Sequence, residues 1–475
     1  MSLRDLIVSA FIIGFFPTSF RRPFIGLLLF TLLAYMRVQD LTWGFARAQR
    51  WSFYVAIITL AGFFLGPGSK RFMLPDMRNY IMVALALCVG LSLAFSGQVE
   101  GMADVSRYIE YLKIIGVAVF TTAVVKNRDY LRVLVWIIAL SFGFFGVKNG
   151  VAAIVSGGSL VIWQGPGGML ADNNDFALAL TMGVPLLLHL GLAERRKLMR
   201  RVMLATVPLT IITIAATHSR GAFLALSCAI MVLVWRSRNR VAGIATFVLI
   251  AIAAFIAAPQ TYKDRIASIS NYEQDSSALG RLAAWNVARN MIAARPVFGV
   301  GFDKFLPNYR NYDRSATPVG ATGQGIIHVA HNSYLQVWAE CGTPAFLLYI
   351  SLMVLTYLDL WRIRRRARER YHASWILSYT TMFEASFTAF VVGSFFLNRA
   401  AFDLFYHFVA VVTVFGVIAR QEMEDPTAFT ADSRVTGRRG TLELVRARGL
   451  ARGPSRSGFD RPQKPGGFGP AMGRS

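Results

Sequence analysis

Arg220 is the most expensive residue in this sequence. It stands between two apolar stretches, 202–217 and 221–235, at or just inside a membrane boundary. An arginine there costs at least a few kcal/mol unless it is paired or faces a polar cavity. Two roles fit it: a structural arginine that snorkels or meets a carboxylate, and an anion clamp in an outward cavity. His218, two residues earlier, is a candidate to support that turn or a bound substrate. Further on, Arg281, Trp285 and Arg289 recur at i, i+4 and i+8 and so share a helix face. A solvated amphipathic helix would look the same. Guanidiniums converging near Arg220, however, suit a lipid-linked phosphate or pyrophosphate, because the planar fork binds such oxygens bidentately.

His331 follows His328 at i+3, a spacing that zinc sites use. No third ligand follows with convincing spacing, so neither a metal nor a cofactor is expected. A histidine at a cavity mouth suits a proton acceptor from a hydroxyl, with capping or packing as the plain alternative. Asn332 stands beside it. In the run 172–175, Asn173 and Asn174 either cap the next helix or contribute to substrate binding. There is no Walker loop, dinucleotide fingerprint or serine nucleophile elbow. No Asp-x-Asp or Asp-x-Glu pair lies in an outer loop; Asp172 and Asp175 come closest, and helix capping accounts for them equally well.

The elements that must position these residues are membrane helices. Apolar residues make up 55% of the 475 residues, more than a soluble domain could bury, and mean hydropathy is +0.46. They fall in blocks near 3–20, 23–36, 52–66, 79–96, 108–125, 130–147, 174–193, 202–217, 221–235, 241–258, 334–358, 374–397 and 400–419. Such lengths cross a bilayer. The fold class expected is therefore an all-α polytopic transmembrane bundle of about 12–13 helices, with one long loop containing short helices. Arg21, Arg22 and Pro23 follow the first block where a signal peptide would have a small-residue cleavage site, so that block is read as a retained helix. Cys88, Cys228 and Cys341 sit inside apolar blocks and read as small buried hydrophobes.

The net charge of +24 is informative through its location. Basic clusters at 70–78, 126–132, 195–201, 236–240 and 362–370 occupy alternate loops, and the intervening loops are near neutral or acidic. This positive-inside asymmetry puts the basic loops and the C-terminus in the cytoplasm and the 259–333 loop outside. Nucleic acid is not an expected partner. Arg37, Arg47 and Arg50 run against the scheme, which places them outside. Four regions follow: an N-terminal bundle 1–258, a catalytic loop 259–333, C-terminal membrane helices 334–420 and a basic disordered tail 421–475 that grazes anionic lipid.

Several motifs then coincide. Ser219, Arg220 and Gly221; Arg281 with Trp285; Arg295 and Pro296 before Gly299, Val300 and Gly301; and His331 and Asn332 ahead of Gly342 resemble the O-antigen ligase and polymerase superfamily. The opening stretch, from Arg4 and Asp5 through Arg21–Gly26 to Leu41–Ala46, resembles a narrower branch, the O-glycosylation ligases encoded near exosortase systems. The likeness covers about residues 4–420. One departure is Ala345, where ligases usually have Gly, Thr or Tyr, which weakens any case for lipid A core as acceptor.

The resemblance implies a multi-pass protein of the bacterial inner membrane with a periplasmic active site. Its donor would be an undecaprenyl-diphosphate-linked glycan and its acceptor a hydroxyl of a glycan, lipid or protein, in a bilayer of membrane lipid. Arg220 and Arg281 would hold the diphosphate, so that no metal is needed. His331 would position or deprotonate the acceptor, supported by Asn332. Two readings compete with this ligase: an exopolysaccharide repeat-unit polymerase, and a lipid-linked sugar transporter or flippase. A transporter should carry charge at mid-membrane in several helices, and here Glu384 is the main exception in nearly charge-free blocks. A catalytically silent scaffold is the remaining alternative.

Overall fold

The computed structural model describes residues 2–67, 70–97, 101–168, 170–237, 239–241, 243–245, 276–314, 327–371, 374–398 and 400–424. The helices are α1 (Leu3–Gly14), α2 (Phe16–Arg21), α3 (Pro23–Tyr35), α4 (Phe45–Ala48), α5 (Trp51–Leu65), α6 (Met77–Phe95), α7 (Met102–Val124) and α8 (Arg128–Val155). After a short hairpin come α9 (Asn173–Ala193), α10 (Lys197–Ala216), α11 (Arg220–Arg236), α12 (Ser276–Ala294), α13 (Phe305–Tyr312), α14 (Ser333–Arg366), α15 (Ser374–Gly393) and α16 (Asp403–Glu424). One compact unit runs from Met1 to Gln421, and residues 425–475, most of the expected tail, lie outside the described residues.

Eight spans among the described residues are long and apolar enough to cross a membrane, and two shorter apolar helices, α3 and α5, join them. Twelve of the thirteen apolar blocks lie on helices; the block 241–258 falls mostly outside the described residues. The bundle has an inside and a lipid side. α9 and α16 are the most buried spans, whereas α10 has only 22% of its apolar window covered. Large apolar side chains such as Phe53, Leu65, Leu87 and Phe95 are exposed, which only a lipid-facing surface tolerates at this density. α9 packs on α8, α10, α11 and α15, and α14 packs on α6, α12 and α15.

The all-α expectation has one local exception. β1 (Gln164–Gly167) and β2 (Leu170–Asp172) pair antiparallel in the glycine-rich stretch that leads into α9. Arg37, in left-handed backbone at φ 50°, lies against Gly168 of this hairpin and pairs with Asp40. The outlying arginine at 37 therefore belongs to the same end of the bundle as the hairpin.

At the opposite end, where the basic loops gather, two carboxylates each meet two arginines. Glu384 accepts from Arg236 Nε at 2.9 Å and from Arg364 Nε at 3.1 Å. Asp359 meets Arg78 at 2.8 Å and Arg420 at 2.6 Å, and Asp76 also bonds Arg78. The exceptional carboxylate in the interior is thus a bridge between two arginines.

Helix α14 breaks within its first third, and the break holds the segment that follows α12. Gly342 has φ 79° and Pro344 follows it. In an unbroken helix the carbonyl of Ala339 would take the amide of Thr343, and that of Glu340 would take residue 344, which as proline has no N–H. Instead Val300 N donates to Ala339 O at 2.9 Å, Gly301 N to Glu340 O at 2.9 Å, and Thr343 N to Pro296 O at 2.8 Å. A side chain at 342 would run into the Val297 carbonyl. This explains the glycines of the 295–301 and 342 motifs together: the loop backbone takes the place of the missing turn.

Candidate active site

Three elements converge at the hairpin end. The first is the N-terminus of α9. Asp172 caps it, its Oδ1 accepting from Asn174 N at 2.8 Å. Asn173 Nδ2 reaches across to donate to Thr217 O at 3.0 Å, and Asn174 Nδ2 donates to Asn173 Oδ1 at 3.0 Å. Asn173 and Asn174 thus brace the α10–α11 turn.

That turn is the second element. It contains Thr217, His218 and Ser219 between two helices. His218 takes a left-handed φ of 55°, and Ser219 caps α11, its Oγ accepting from Ala222 N at 3.4 Å. Arg220 is the first residue of α11 and its side chain is exposed. A guanidinium at a helix N-terminus adds its charge to the positive end of the helix dipole, so the local field attracts anions. Gly221 abuts Phe396, which ties the turn to the α15–α16 connection.

The third element is α12 with the segment before α14. Ala284, Val287, Ala288 and Met291 are buried in a small core with Val300, Phe305, Tyr309, Ala330 and Ala339. Side chains of this kind contribute about 1.5–3 kcal/mol each when fully buried and large. Trp285 Nε1 donates to Ala330 O at 2.8 Å, and its ring meets Phe395 edge-on at 5.7 Å. The imidazole of His328 packs over Gly280, where a Cβ would come within 2.6 Å of the ring. Asn332 caps α14, its Oδ1 accepting from Tyr334 N at 3.0 Å and Leu335 N at 3.1 Å. The next residue, Ser333, is fixed to the carbonyls of Ser394 and Leu397.

His331 lies between these anchors, half-buried, in left-handed backbone at φ 43°. Such a φ is sparsely populated by non-glycine residues and persists where the surroundings fix it. Burial holds its imidazole below the usual histidine range, the charge of Arg281 pushes the same way, Asp172 opposes, and His328 adds to the lowering. His331 therefore stands neutral in a field that Arg281 and Asp172 set from opposite signs.

The structure brings Arg281, His331, Asn332 and Trp285 together and links them through Asp172, Asn173 and Phe395–Phe396 to His218 and Arg220. Arg281 and Trp285 are half-buried, and Arg289 is exposed. Each step of four residues advances about 40° around a helix, so the row 281, 285, 289 climbs from the buried edge of α12 toward the solvent side.

Sequence reasoning passed over Glu340, although a charge inside the 334–358 block was a visible signal. It is buried, and its Oε1 accepts from Phe305 N at 3.3 Å. Lys304, also buried, pairs with Asp104 at 2.8 Å, and Asp303 pairs with Arg107. These contacts dock the segment after α12 on α7. Among the described residues no His, Cys, Asp or Glu cluster is arranged to hold a metal ion.

Comparison with known proteins divides the chain between two families. Residues 3–194, which carry Asp172, Asn173 and Asn174, match a family of unknown function (DUF5935). No curated protein matches the chain. Residues 204–350, which carry His218, Arg220, Arg281, Trp285, Arg289, His331 and Asn332, match the family described as O-Antigen ligase, and this supports placing the chain in the O-antigen ligase superfamily.

Proposed function

We propose that this chain is a metal-independent glycosyltransferase of the O-antigen ligase type. It works on the periplasmic face of a bacterial inner membrane and moves a glycan from undecaprenyl diphosphate to an acceptor hydroxyl. The acceptor oxygen attacks the anomeric carbon and the bond from that carbon to the diphosphate oxygen breaks. The acceptor's proton passes to His331, and undecaprenyl diphosphate departs with the bonding electrons. Direct attack inverts the anomeric configuration. Arg220 and Arg281 hold the diphosphate and offset the charge that grows on it, while Trp285 and Asn332 keep α12 and His331 in register. Arg289, His218, Asn173 and Asn174 border the donor's path. The likeness of residues 4–46 to the O-glycosylation ligases makes a protein hydroxyl the acceptor to try first.

The observation that carries this reading is the setting of His331: a half-buried imidazole whose proton affinity burial and then the charge of Arg281 lower, on backbone fixed from both sides. A base must be unprotonated before it can accept a proton, and a diphosphate needs positive charge nearby. The rival transporter reading relies on ionisable groups serving substrate at mid-membrane, whereas Glu384 already bridges Arg236 and Arg364.

The test uses detergent-purified full-length protein, undecaprenyl-diphosphate-linked glycan from the host's membranes and EDTA. Acceptor-dependent release of undecaprenyl diphosphate is expected to survive EDTA and to be lost in Arg281→Ala and His331→Ala. Full transfer by either variant would overturn the assignment. Transbilayer movement of the lipid without release would favour the transporter.

A further inference from the structure

A cleft opens at the basic end of the bundle, between α11, α14 and α15, with a volume of about 350 Å³. Its walls are apolar: Met231, Val232 and Leu358 line it, with Trp235 and Trp361 at the rim. Arg236, its reference point on α11, stands about 24 Å along that helix from Arg220, at 1.5 Å per residue. The cleft is thus separate from the site described above.

Charge surrounds this apolar trough in an ordered way. Arg240 lies over the Trp235 ring at 4.9 Å and Arg365 over the Trp361 ring at 5.7 Å. Both indoles are about half exposed, at 55% and 50%. A guanidinium stacked on an aromatic face keeps its N–H donors in the plane, directed outward to an anion. Arg365 also meets Glu369 at 2.8 Å, which takes part of its charge. Glu384, part of the lining, is shared by Arg236, also in the lining, and by Arg364 behind it, so this corner has two guanidiniums to one carboxylate. Tryptophan and arginine at the boundary of a membrane span, flanking an apolar trough, match a molecule with a phosphate head and a hydrocarbon tail.

We propose that this cleft binds an anionic phospholipid of the basic-side leaflet. One acyl chain enters between Met231, Val232 and Leu358, and the phosphate lies between Arg240 and Arg365. A zwitterionic headgroup brings an ammonium into this positive rim and is disfavoured. The volume accommodates part of one chain, so the remainder of the lipid stays in the bilayer.

The experiment is native mass spectrometry of delipidated full-length protein titrated separately with phosphatidylglycerol, phosphatidylcholine, undecaprenyl phosphate and inorganic phosphate. The variants are Arg240→Gln with Arg365→Gln, both on exposed side chains, and Leu358→Trp, which fills the trough. Thermal melting in detergent verifies that each is folded. Phosphatidylglycerol is expected to bind about tenfold more tightly than phosphatidylcholine, because two basic side chains meet its phosphate while Glu369 offsets part of their charge. That preference is expected to vanish in the double arginine variant, and binding of either lipid to weaken in folded Leu358→Trp. Equal binding of the two phospholipids, or an unchanged preference in the arginine variant, overturns the proposal. Displacement by millimolar inorganic phosphate marks a phosphate site without a role for the trough, and also overturns it. Tighter binding of undecaprenyl phosphate would assign the cleft to polyprenyl lipid instead.

Discussion

The two ends of the bundle use arginine differently. At the basic end, Arg78 and Arg420 meet Asp359, and Arg236 and Arg364 meet Glu384, with the carboxylates buried or nearly so. At the hairpin end, the carboxylates Asp104 and Asp303 go to Lys304 and Arg107 to dock the segment after α12, and burial, with the charge of Arg281 second, lowers the proton affinity of His331. Arginines that share one interior carboxylate join helices. A positive field that reaches a neutral histidine is suited to handling an anion and a proton. Counting arginines would rank the basic end first, yet their surroundings point to the other end.

This comparison can be broken experimentally. Glu384→Gln should have the largest effect on folding, because it leaves two guanidiniums around a neutral amide; breaking a buried pair costs about 3–5 kcal/mol. The expected outcome is a much lower melting temperature in detergent, with activity per folded molecule retained. Loss of activity in stable protein would join the two ends functionally. Arg281→Lys should do the reverse. It keeps the charge but loses the fork, and transfer should fall by about 10²-fold, in the range seen on removing one transition-state donor, at an unchanged melting temperature.

A third variant sharpens the proton argument. The histidine's folded pKa is lowered, so His331 is neutral at pH 7, and activity should fall only as pH drops through that lowered value. Asp172 opposes the lowering, so Asp172→Asn should move the acid limb of the pH–rate profile to still lower pH. Arg281→Lys should leave the limb nearly in place. A limb that moved upward in Asp172→Asn would remove His331 from the proton's path. The smallest effect is expected from Trp285→Phe, which loses the bond to Ala330 O but keeps a ring near Phe395. A lost neutral hydrogen bond is worth about 1 kcal/mol, so turnover should fall several-fold, with the outer loop still docked.

The membrane helices were legible because crossing a bilayer writes a length and a composition into the chain, and twelve of the thirteen apolar blocks lie on helices. The hairpin before α9 was not, since strands of four and three residues rich in glycine carry no alternating pattern and exist through tertiary contact. At the candidate site, Arg281, Trp285 and His331 could be picked out by residue type and spacing, and the structure gathers them. The different exposure of Arg289 follows from the drift of an i, i+4, i+8 row, which a sequence pattern flattens. The link between Asp172 and His331 joins segments far apart in the chain and left no local trace. Glu340 left one, a charge inside an apolar block.

The broken turn at Gly342 has a consequence for motion. The amides of Val300 and Gly301 belong to the loop between α12 and α13, but their acceptors are carbonyls of helix α14. Their protons should exchange with deuterium on the timescale of bundle opening and much more slowly than those of an ordinary surface loop. The segment after α12 and the part of α14 before Gly342 should therefore tilt as one lever, transmitting to His331 any displacement of the span beneath it.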